Sequence, residues 1–195
     1  FLDGAAARRV EPRVAPTVRA ALRMPEGRLD NRALWRALLT SCRARGVDVA
    51  VSYARSKTEA DQAAKVVRGA KRRAVTFQAD LSQPDAPAAL IQSVVGAFGR
   101  LDILINMASV YVQRPFADLT ATDWNAALDV DLRAAFLCAH AAAPHMRAQG
   151  GGRIVSFSDW IAKSGRPRYG GYVPYYVAKA GVIALTEALA LELAA

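Results

Sequence analysis

Two side chains near the C-terminus have the types and the spacing needed to move a proton. Tyr175 and Lys179 are four residues apart in a helix-like segment, so both project from one face and can act on the same bound molecule. A free tyrosine has a pKa of about 10, and a neighbouring ammonium lowers that value by stabilising the phenolate. We therefore expect Lys179 to lower the pKa of Tyr175 and to make its hydroxyl a general acid. Taken alone, this spacing more often reflects a surface aromatic and a solvated charge.

The elements that must position this pair alternate between strand-like and helix-like segments from residue 46 onward. This alternation is typical of a parallel sheet with crossover helices. The pattern predicts strands at 47–53, 73–78, 101–105 and 153–157, and helices at 58–67, 84–98, 123–146 and 174–193.

Local signals add detail to these elements. The strand at 101–105 is expected to be buried on both faces, because its apolar residues form a continuous run. Thr122 is the expected N-cap of the following helix, with Pro144 kinking or fraying its final turn. Gly69, Gly99 and the run 150–152 are expected to close helices, and 158–173 to be a loop. The helix at 174–193 is apolar nearly all round, which predicts burial, often against a second subunit.

The first 45 residues are harder to interpret. Residues 32–45 resemble a helix, but no strand followed by a glycine-rich turn precedes them. The segment 14–18 is a weak strand candidate, because Pro16 cannot donate to a central sheet ladder. We therefore divide the chain into an irregular segment, 1–31, and one α/β domain, 32–195.

Composition excludes several functional classes. The net charge is +9, of which +6 lies in residues 1–45, and no Lys/Arg run there alternates with aromatics, so nucleic-acid binding is not expected. No apolar run reaches the roughly 18 residues that span a membrane, and no signal peptide is recognisable. Cys42 and Cys138 lack metal or disulfide spacing, and His140 and His145 lack a carboxylate partner. We expect a cytoplasmic protein without a metal site.

Five segments carry recognisable motifs in order over about 150 residues. They are Asp80-Leu81, residues 101–109, the run Arg153 to Asp159, the motif Tyr175 to Gly181 and residues 184–193. These segments resemble the short-chain dehydrogenase/reductase family, in which the first position contacts the adenine and the second segment is a strand ending in N-N-A-G. The resemblance implies a Rossmann-like, doubly wound parallel sheet with helices on both faces, incomplete at both ends of this chain.

The resemblance also implies a nicotinamide dinucleotide cofactor, NADP(H). Residues 51–56 resemble a strand end at which Arg55 and Ser56 bind the 2′-phosphate, and a guanidinium suits that group geometrically. Arg55 could instead be a solvated loop residue. The further cofactor-binding residues implied by the family are Asp80, Leu81, Asn106, Ala108, Ser109, Tyr175 and Lys179.

Within the family, the chain resembles the pteridine reductase-like branch. Asp159 occupies the position of the usual catalytic serine, with Ser158 as a fallback. An ionised carboxylate accepts but does not donate a hydrogen bond, so Asp159 would act protonated or through water. The resemblance implies catalytic roles for Tyr175, Lys179, Asp159 and Asp131, and substrate contacts from Ser158, Asp159, Trp160 and Tyr175. Trp160 could equally be a buried structural residue.

Several positions depart from the family pattern. The glycine-rich phosphate turn should fall around residues 28–35, which contain no glycine, and the glycine at Gly4 lies too early. Met107 replaces the second asparagine of N-N-A-G, and Asp131 replaces the asparagine of the catalytic tetrad. A fragment, an upstream change of reading frame and a diverged non-catalytic relative would each explain these departures, and the Arg/Ala/Pro-rich residues 5–45 favour the first two.

Two functions follow from this pattern. The first is an NADPH-dependent reductase of a small carbonyl or imine compound, including a pteridine-like one. The second is a family-derived pseudoenzyme, or inactive fragment, that acts as an assembly partner. In either case, self-association as a homodimer or homotetramer is expected through the helices 123–146 and 174–193.

Overall fold

The computed structural model describes residues 46–163 and 170–194, together with two short strands near the start of the chain. The chain divides into two compact units, Phe1–Ser41 and Cys42–Ala195. In the first unit, β1 (Leu2–Asp3) pairs antiparallel with β2 (Ala20–Ala21). The helix expected at 32–45, the strand candidate at 14–18 and the expected position of the phosphate turn lie outside the described residues.

The second unit alternates strands with helices, as the sequence predicts. Its strands pair in parallel, β3 (Val49–Tyr53) with β4 (Ala74–Gln78) and β5 (Ile103–Asn106) with β6 (Arg153–Ser156). The elements in chain order are β3 (Val49–Tyr53), α1 (Lys57–Gly69), β4 (Ala74–Gln78), α2 (Ala86–Phe98), β5 (Ile103–Asn106), a 3₁₀ turn (Phe116–Asp118), α3 (Ala121–Leu128), a π-helix (Asp129–Arg133), α4 (Ala134–Ala148), β6 (Arg153–Ser156), α5 (Trp160–Lys163) and α6 (Val173–Leu193).

The apolar core lies where helices α2 and α4 meet the β5–β6 pair. Ile91, Ala142 and Met146 are its buried centre, and Leu104 and Ile154 pack against it from the two strands. The other faces of these strands are more open than expected. Ile103 is 49% exposed and Ile105 39%, so the prediction that this strand is buried on both faces is wrong for the described residues.

The helix expected at 123–146 is three helical segments in succession. Thr120, rather than Thr122, is the N-cap, and Thr120 and Asp123 form a reciprocal capping box. The chain then widens into the π-helix before α4 begins. Pro144 lies inside α4 without ending it. Gly150 and Gly151, both with positive φ, end the helix as expected.

Of two other helix ends, one differs from expectation and one agrees with it. Gly69 is the last residue of α1, and the left-handed turn is made by Lys71 at a φ of 59°. Gly99 closes α2 with a φ of 78°, as predicted. The predicted loop at 158–173 includes the short helix α5.

Helix α6 is buried only in its first half. Tyr175, Ala178, Lys179 and Val182 are buried, whereas Leu191 is 83% exposed. Within the described chain, the expected burial of the whole helix is therefore not found. Among the described residues, no helix combines the length and apolar character that a membrane span requires.

Candidate active site

The hydroxyl of Tyr175 is held by Asp159. Tyr175 lies in the first turn of α6, and Asp159 follows β6 at the start of α5. The phenol Oη donates to Asp159 Oδ2 over 2.7 Å, while Asp159 Oδ1 accepts the backbone N–H of Ile161 at 3.1 Å. The carboxylate is therefore fixed by the helix that it begins, and it presents its second oxygen to the phenol.

This environment raises the pKa of Tyr175 well above its ordinary value. Burial is the largest cause, and the hydrogen bond to Asp159 is the next. The negative charges of Asp159 and Asp131, and the nearby Tyr111, act in the same direction. The prediction that Lys179 lowers the pKa of Tyr175 is therefore wrong: the tyrosine is held as a neutral donor.

The ammonium of Lys179 is committed to a different carboxylate. Its Nζ lies 3.0 Å from Asp131 Oδ1, and the two side chains are 5% and 0% exposed. It also donates to the carbonyl oxygen of Phe157 over 3.1 Å. The distance from Nζ to the centroid of the Tyr175 ring is 5.6 Å. Lys179 and Tyr175 thus share one helix face, as predicted, but the charge of the lysine is already paired.

Asp131 connects the loop after β5 to the rest of the site. The carboxylate accepts the Ser109 hydroxyl on Oδ1 at 2.5 Å and the Val110 backbone N–H on Oδ2 at 2.8 Å. Asp131 lies in the π-helix, a distortion often found at functional sites. With Lys179, it accepts three donors on two oxygens, which explains how a charged side chain can be fully buried.

The two remaining substrate candidates are placed differently. Ser158 donates its hydroxyl to the backbone carbonyl of Lys179 over 2.7 Å, so this donor ties the strand end to α6. The Trp160 residue is 42% exposed, so the alternative of a buried structural tryptophan does not hold. Of the predicted substrate residues, the structure brings Asp159 and Tyr175 into direct contact.

Two aromatic residues outside the predicted site, Tyr111 and Tyr172, lie beside Tyr175. Tyr111 stacks on Tyr172 with ring centroids 4.5 Å apart and an interplanar angle of 17°. Tyr111 also meets Tyr175 edge-on at 4.8 Å. These contacts form an aromatic wall, Tyr111 and Tyr172, next to the tyrosine hydroxyl.

The aromatic wall depends on a close backbone contact. The Arg114 N–H donates to the Gly171 carbonyl over 2.8 Å, and Gly171 has a φ of 88°. A Cβ at this glycine would lie 2.8 Å from Gln113 Cγ and 3.2 Å from the Arg114 carbonyl oxygen. This close contact between the two backbones requires a residue without a Cβ, and Gly170-Gly171 is the feature of the sequence that could have indicated it.

A cavity of about 250 Å³ borders the cluster at the carboxyl ends of the strands. Phe157 and Asp131, which both contact Lys179, belong to its lining. Residues at or just beyond the ends of β3, β4, β5 and β6 contribute, including Ser52, Leu81, Asn106, Ala108 and Ser156. Ligands of open α/β sheets bind at this edge.

The predicted cofactor residues lie at this edge with distinct environments. Asn106 donates to the Ser156 hydroxyl at 3.4 Å, linking β5 to β6. Asp80 accepts the Ser82 hydroxyl and backbone N–H on one oxygen, and these bonds lower its pKa. Arg55 and Ser56 are exposed at the end of β3. Ser56 is the N-cap of α1, with no capping hydrogen bond from its side chain.

These residues fit part of a dinucleotide. The cavity, at about 250 Å³, is smaller than the roughly 300–1,000 Å³ of typical ligand sites, so it can enclose only part of the molecule. An exposed arginine and a serine hydroxyl at a helix N-terminus suit a phosphate. The glycine-rich turn that holds the pyrophosphate in such sites has its expected position outside the described residues.

Comparison with known proteins identifies the family. The family model for short chain dehydrogenases matches residues 32–195. The chain belongs to the short-chain dehydrogenase family. The 3-oxoacyl-[acyl-carrier-protein] reductases of Staphylococcus aureus and Synechocystis are each 32% identical to it over 164 residues, which is 84% of this chain and 65% of the relative.

Solved structures of the family agree with the fold. A short chain dehydrogenase from Burkholderia cenocepacia in complex with NADP is 34% identical, with a TM-score of 0.74 over 82% of this chain and 63% of that one. An acetoin dehydrogenase from Enterobacter cloacae is 32% identical with the same TM-score, over 82% of this chain and 62% of that one. The Rossmann-like α/β fold expected from the sequence is confirmed. The chain spans slightly less than two thirds of the length of these relatives.

Proposed function

We propose that the protein is an NADP(H)-dependent oxidoreductase that transfers hydride between a nicotinamide and a carbonyl or imine carbon. The observation that carries this proposal is the Tyr175 hydroxyl, hydrogen-bonded to Asp159 at 2.7 Å beside the buried Lys179–Asp131 pair. When bound, the dinucleotide supplies the hydride. The chain's residues bind it, orient it and deliver the matching proton.

The protonation state of Tyr175 favours reduction. A phenol is already protonated at neutral pH and the raised pKa keeps it so, and its hydroxyl can donate a proton to the substrate oxygen or nitrogen as hydride arrives at the neighbouring carbon. Asp159 holds this hydroxyl before substrate binds, and it is itself half-buried. We infer that Asp159 passes a replacement proton from solvent to the tyrosine after turnover.

The preference for NADP(H) over NAD(H) is assigned to Arg55 and Ser56. Both are exposed at the start of α1, where the guanidinium and the helix N-terminus can neutralise a 2′-phosphate. The related structure from Burkholderia cenocepacia was determined with NADP. Arg55→Ala should weaken NADPH binding far more than NADH binding, and an equal effect on both would show that Arg55 does not hold the phosphate.

Cofactor binding is tested by thermal shift with NADPH. A tenfold excess over the dissociation constant stabilises a one-site protein by about 1.4 kcal/mol. No shift at millimolar NADPH would contradict the proposal and favour the alternative, a family-derived protein that no longer binds dinucleotide and acts as an assembly partner.

Two substrate classes are proposed for this site, 3-oxoacyl thioesters and pteridine-like rings. Relatives of this chain include 3-oxoacyl reductases, whereas Asp159 at the usual serine position resembles the pteridine reductase-like branch. The exposed Tyr111, stacked on Tyr172, offers an aromatic surface to a flat conjugated ring. A panel of pterins, quinonoid rings and 3-oxoacyl thioesters would separate these classes, and turnover of the thioesters alone would exclude a pteridine-like substrate.

Self-association is proposed through the helical segments between 121 and 148 and through α6. These segments expose large apolar side chains, of which Phe136 is 43%, Trp124 41% and Val177 37% exposed. Burying such side chains against a second copy would remove apolar surface from water. Sedimentation velocity should show a dimer or tetramer, and a monomer at micromolar concentration would refute this assignment.

A further inference from the structure

The position of Asp131 suggests a task beyond folding. Its carboxylate is completely buried and lies 3.0 Å from the ammonium of Lys179. The same carboxylate holds Ser109 and Val110, so it is fixed by groups from a second element. An amide would be electrically neutral at this position, whereas a carboxylate cancels the charge of the lysine.

Several groups surround the side chain of Tyr175. Asp159, from the loop after β6, accepts its hydroxyl. Tyr111, from the loop after β5, and Tyr172, the residue before α6, lie against its ring. Asp131 lies in the π-helix, and its charge raises the pKa of Tyr175. Lys179 lies one turn after Tyr175 in α6, with its Nζ 5.6 Å from the centroid of the Tyr175 ring. Lys179 is the cation of this set, and Asp131 pairs with it directly.

We propose that Asp131 is a positioning residue that neutralises Lys179, so that the Tyr175 proton is controlled by Asp159 rather than by the lysine. This inference deepens the proposed function and rests on it for its catalytic meaning. The electrostatic effect itself involves no cofactor or substrate, because the carboxylates, the ammonium and the phenol all belong to the described residues of this chain.

The experiment measures the ionisation of Tyr175 in Asp131→Asn. Ultraviolet difference titration detects tyrosinate, and subtracting the matching Tyr175→Phe protein isolates this tyrosine from the other five. An unneutralised ammonium within about 4–6 Å lowers the pKa of an acid by about 1–3. We therefore expect the proton affinity of Tyr175 to fall at least about tenfold in Asp131→Asn.

The control is Asp129→Asn in the same π-helix. Asp129 pairs with Arg133 at 2.8 Å, and both side chains are partly exposed. This variant makes the same change of charge two residues away and should leave the Tyr175 titration unchanged. An unchanged titration in Asp131→Asn, or an equal shift in Asp129→Asn, would overturn the proposal.

A second comparison covers a failure of Asp131→Asn to fold, since removing one partner of a buried pair is strongly destabilising whereas removing both is often tolerated. The double variant Asp131→Asn with Lys179→Met removes both charges of the buried pair, so its Tyr175 should titrate as it does in the wild type, in which Asp131 neutralises Lys179. A clear difference in the proton affinity of Tyr175 between the double variant and the wild type would show that the pair is not neutral toward Tyr175 and would overturn the proposal. All these titrations are made without cofactor or substrate, so their outcome is independent of whether NADPH binds.

Discussion

The contact between α6 and the π-helix depends on Gly181. This glycine lies two residues after Lys179, and a Cβ built on it would lie 2.7 Å from Leu132 Cδ2 and 3.2 Å from Leu132 Cδ1. Leu132 adjoins Asp131, so the same close approach holds the carboxylate against the ammonium. Both methyl groups and the branch carbon of Leu132 lie within 3.5 Å of the added atom, so rotation of the last bond exchanges one clash for another.

The size of the effect of Gly181→Ala follows from two opposing contributions. Overpacking a close contact costs typically about 1–3 kcal/mol. Alanine favours a helix interior over glycine by about 0.8–1.0 kcal/mol. We therefore expect the free energy of unfolding to fall by about 0–2 kcal/mol, with the Lys179–Asp131 pair weakened because α6 must move away from the π-helix.

Gly96→Ala is a matched control for this prediction. Gly96 also lies inside a helix, α2, and a Cβ there would meet no atom within 4 Å. This variant should gain the helical contribution without the clash. Urea denaturation followed by circular dichroism should therefore place Gly181→Ala about 1–3 kcal/mol below Gly96→Ala. Equal stabilisation of the two proteins would refute the close approach of α6 to the π-helix.

Two further outcomes follow from the structure. Thr120→Ala removes the N-cap of α3 and its capping box with Asp123, so the free energy of unfolding should fall by about 1 kcal/mol in urea denaturation; an unchanged midpoint would mean that the cap contributes nothing. Because folding raises the pKa of Tyr175, its contribution to stability is complete below the unfolded pKa of about 10 and is lost as pH rises toward the folded value. Wild type should therefore lose stability above pH 10 more steeply than Tyr175→Phe, and parallel curves would contradict the raised pKa.

The elements of the second unit could be predicted because their patterns are local. Hydrophobic runs and glycine punctuation located β3, β4, β5 and β6 to within about two residues. The exposure of Ile103 and Ile105 could not be predicted in this way, because it depends on which elements cover a sheet face. The π-helix at Asp131 also escaped prediction, since it is stabilised by Lys179, 48 positions further along the chain, and by the loop at Ser109.

The candidate site, too, could be predicted only in part from the sequence. Helical spacing correctly placed Tyr175 and Lys179 on one face, and the resemblance to the family selected Asp159 and Asp131. The direction in which the pKa of Tyr175 shifts could not be predicted from the sequence, because it depends on the three-dimensional arrangement. The carboxylate of Asp159 accepts the phenol hydroxyl, while Lys179 is paired with Asp131. Tyr111 and Tyr172 were missed because their stacking depends on a contact between two loops.

The most direct test of the proposed function compares turnover with binding in Tyr175→Phe. NADPH oxidation is measured with the best substrate of the panel, and NADPH affinity by fluorescence titration of the same protein. Tyr176→Phe, the same chemical change one position along α6, is the control. We predict that Tyr175→Phe lowers kcat by about 10²–10⁴ with NADPH affinity nearly intact, while Tyr176→Phe retains turnover. Undiminished turnover by Tyr175→Phe would contradict the assignment of Tyr175 as the proton donor.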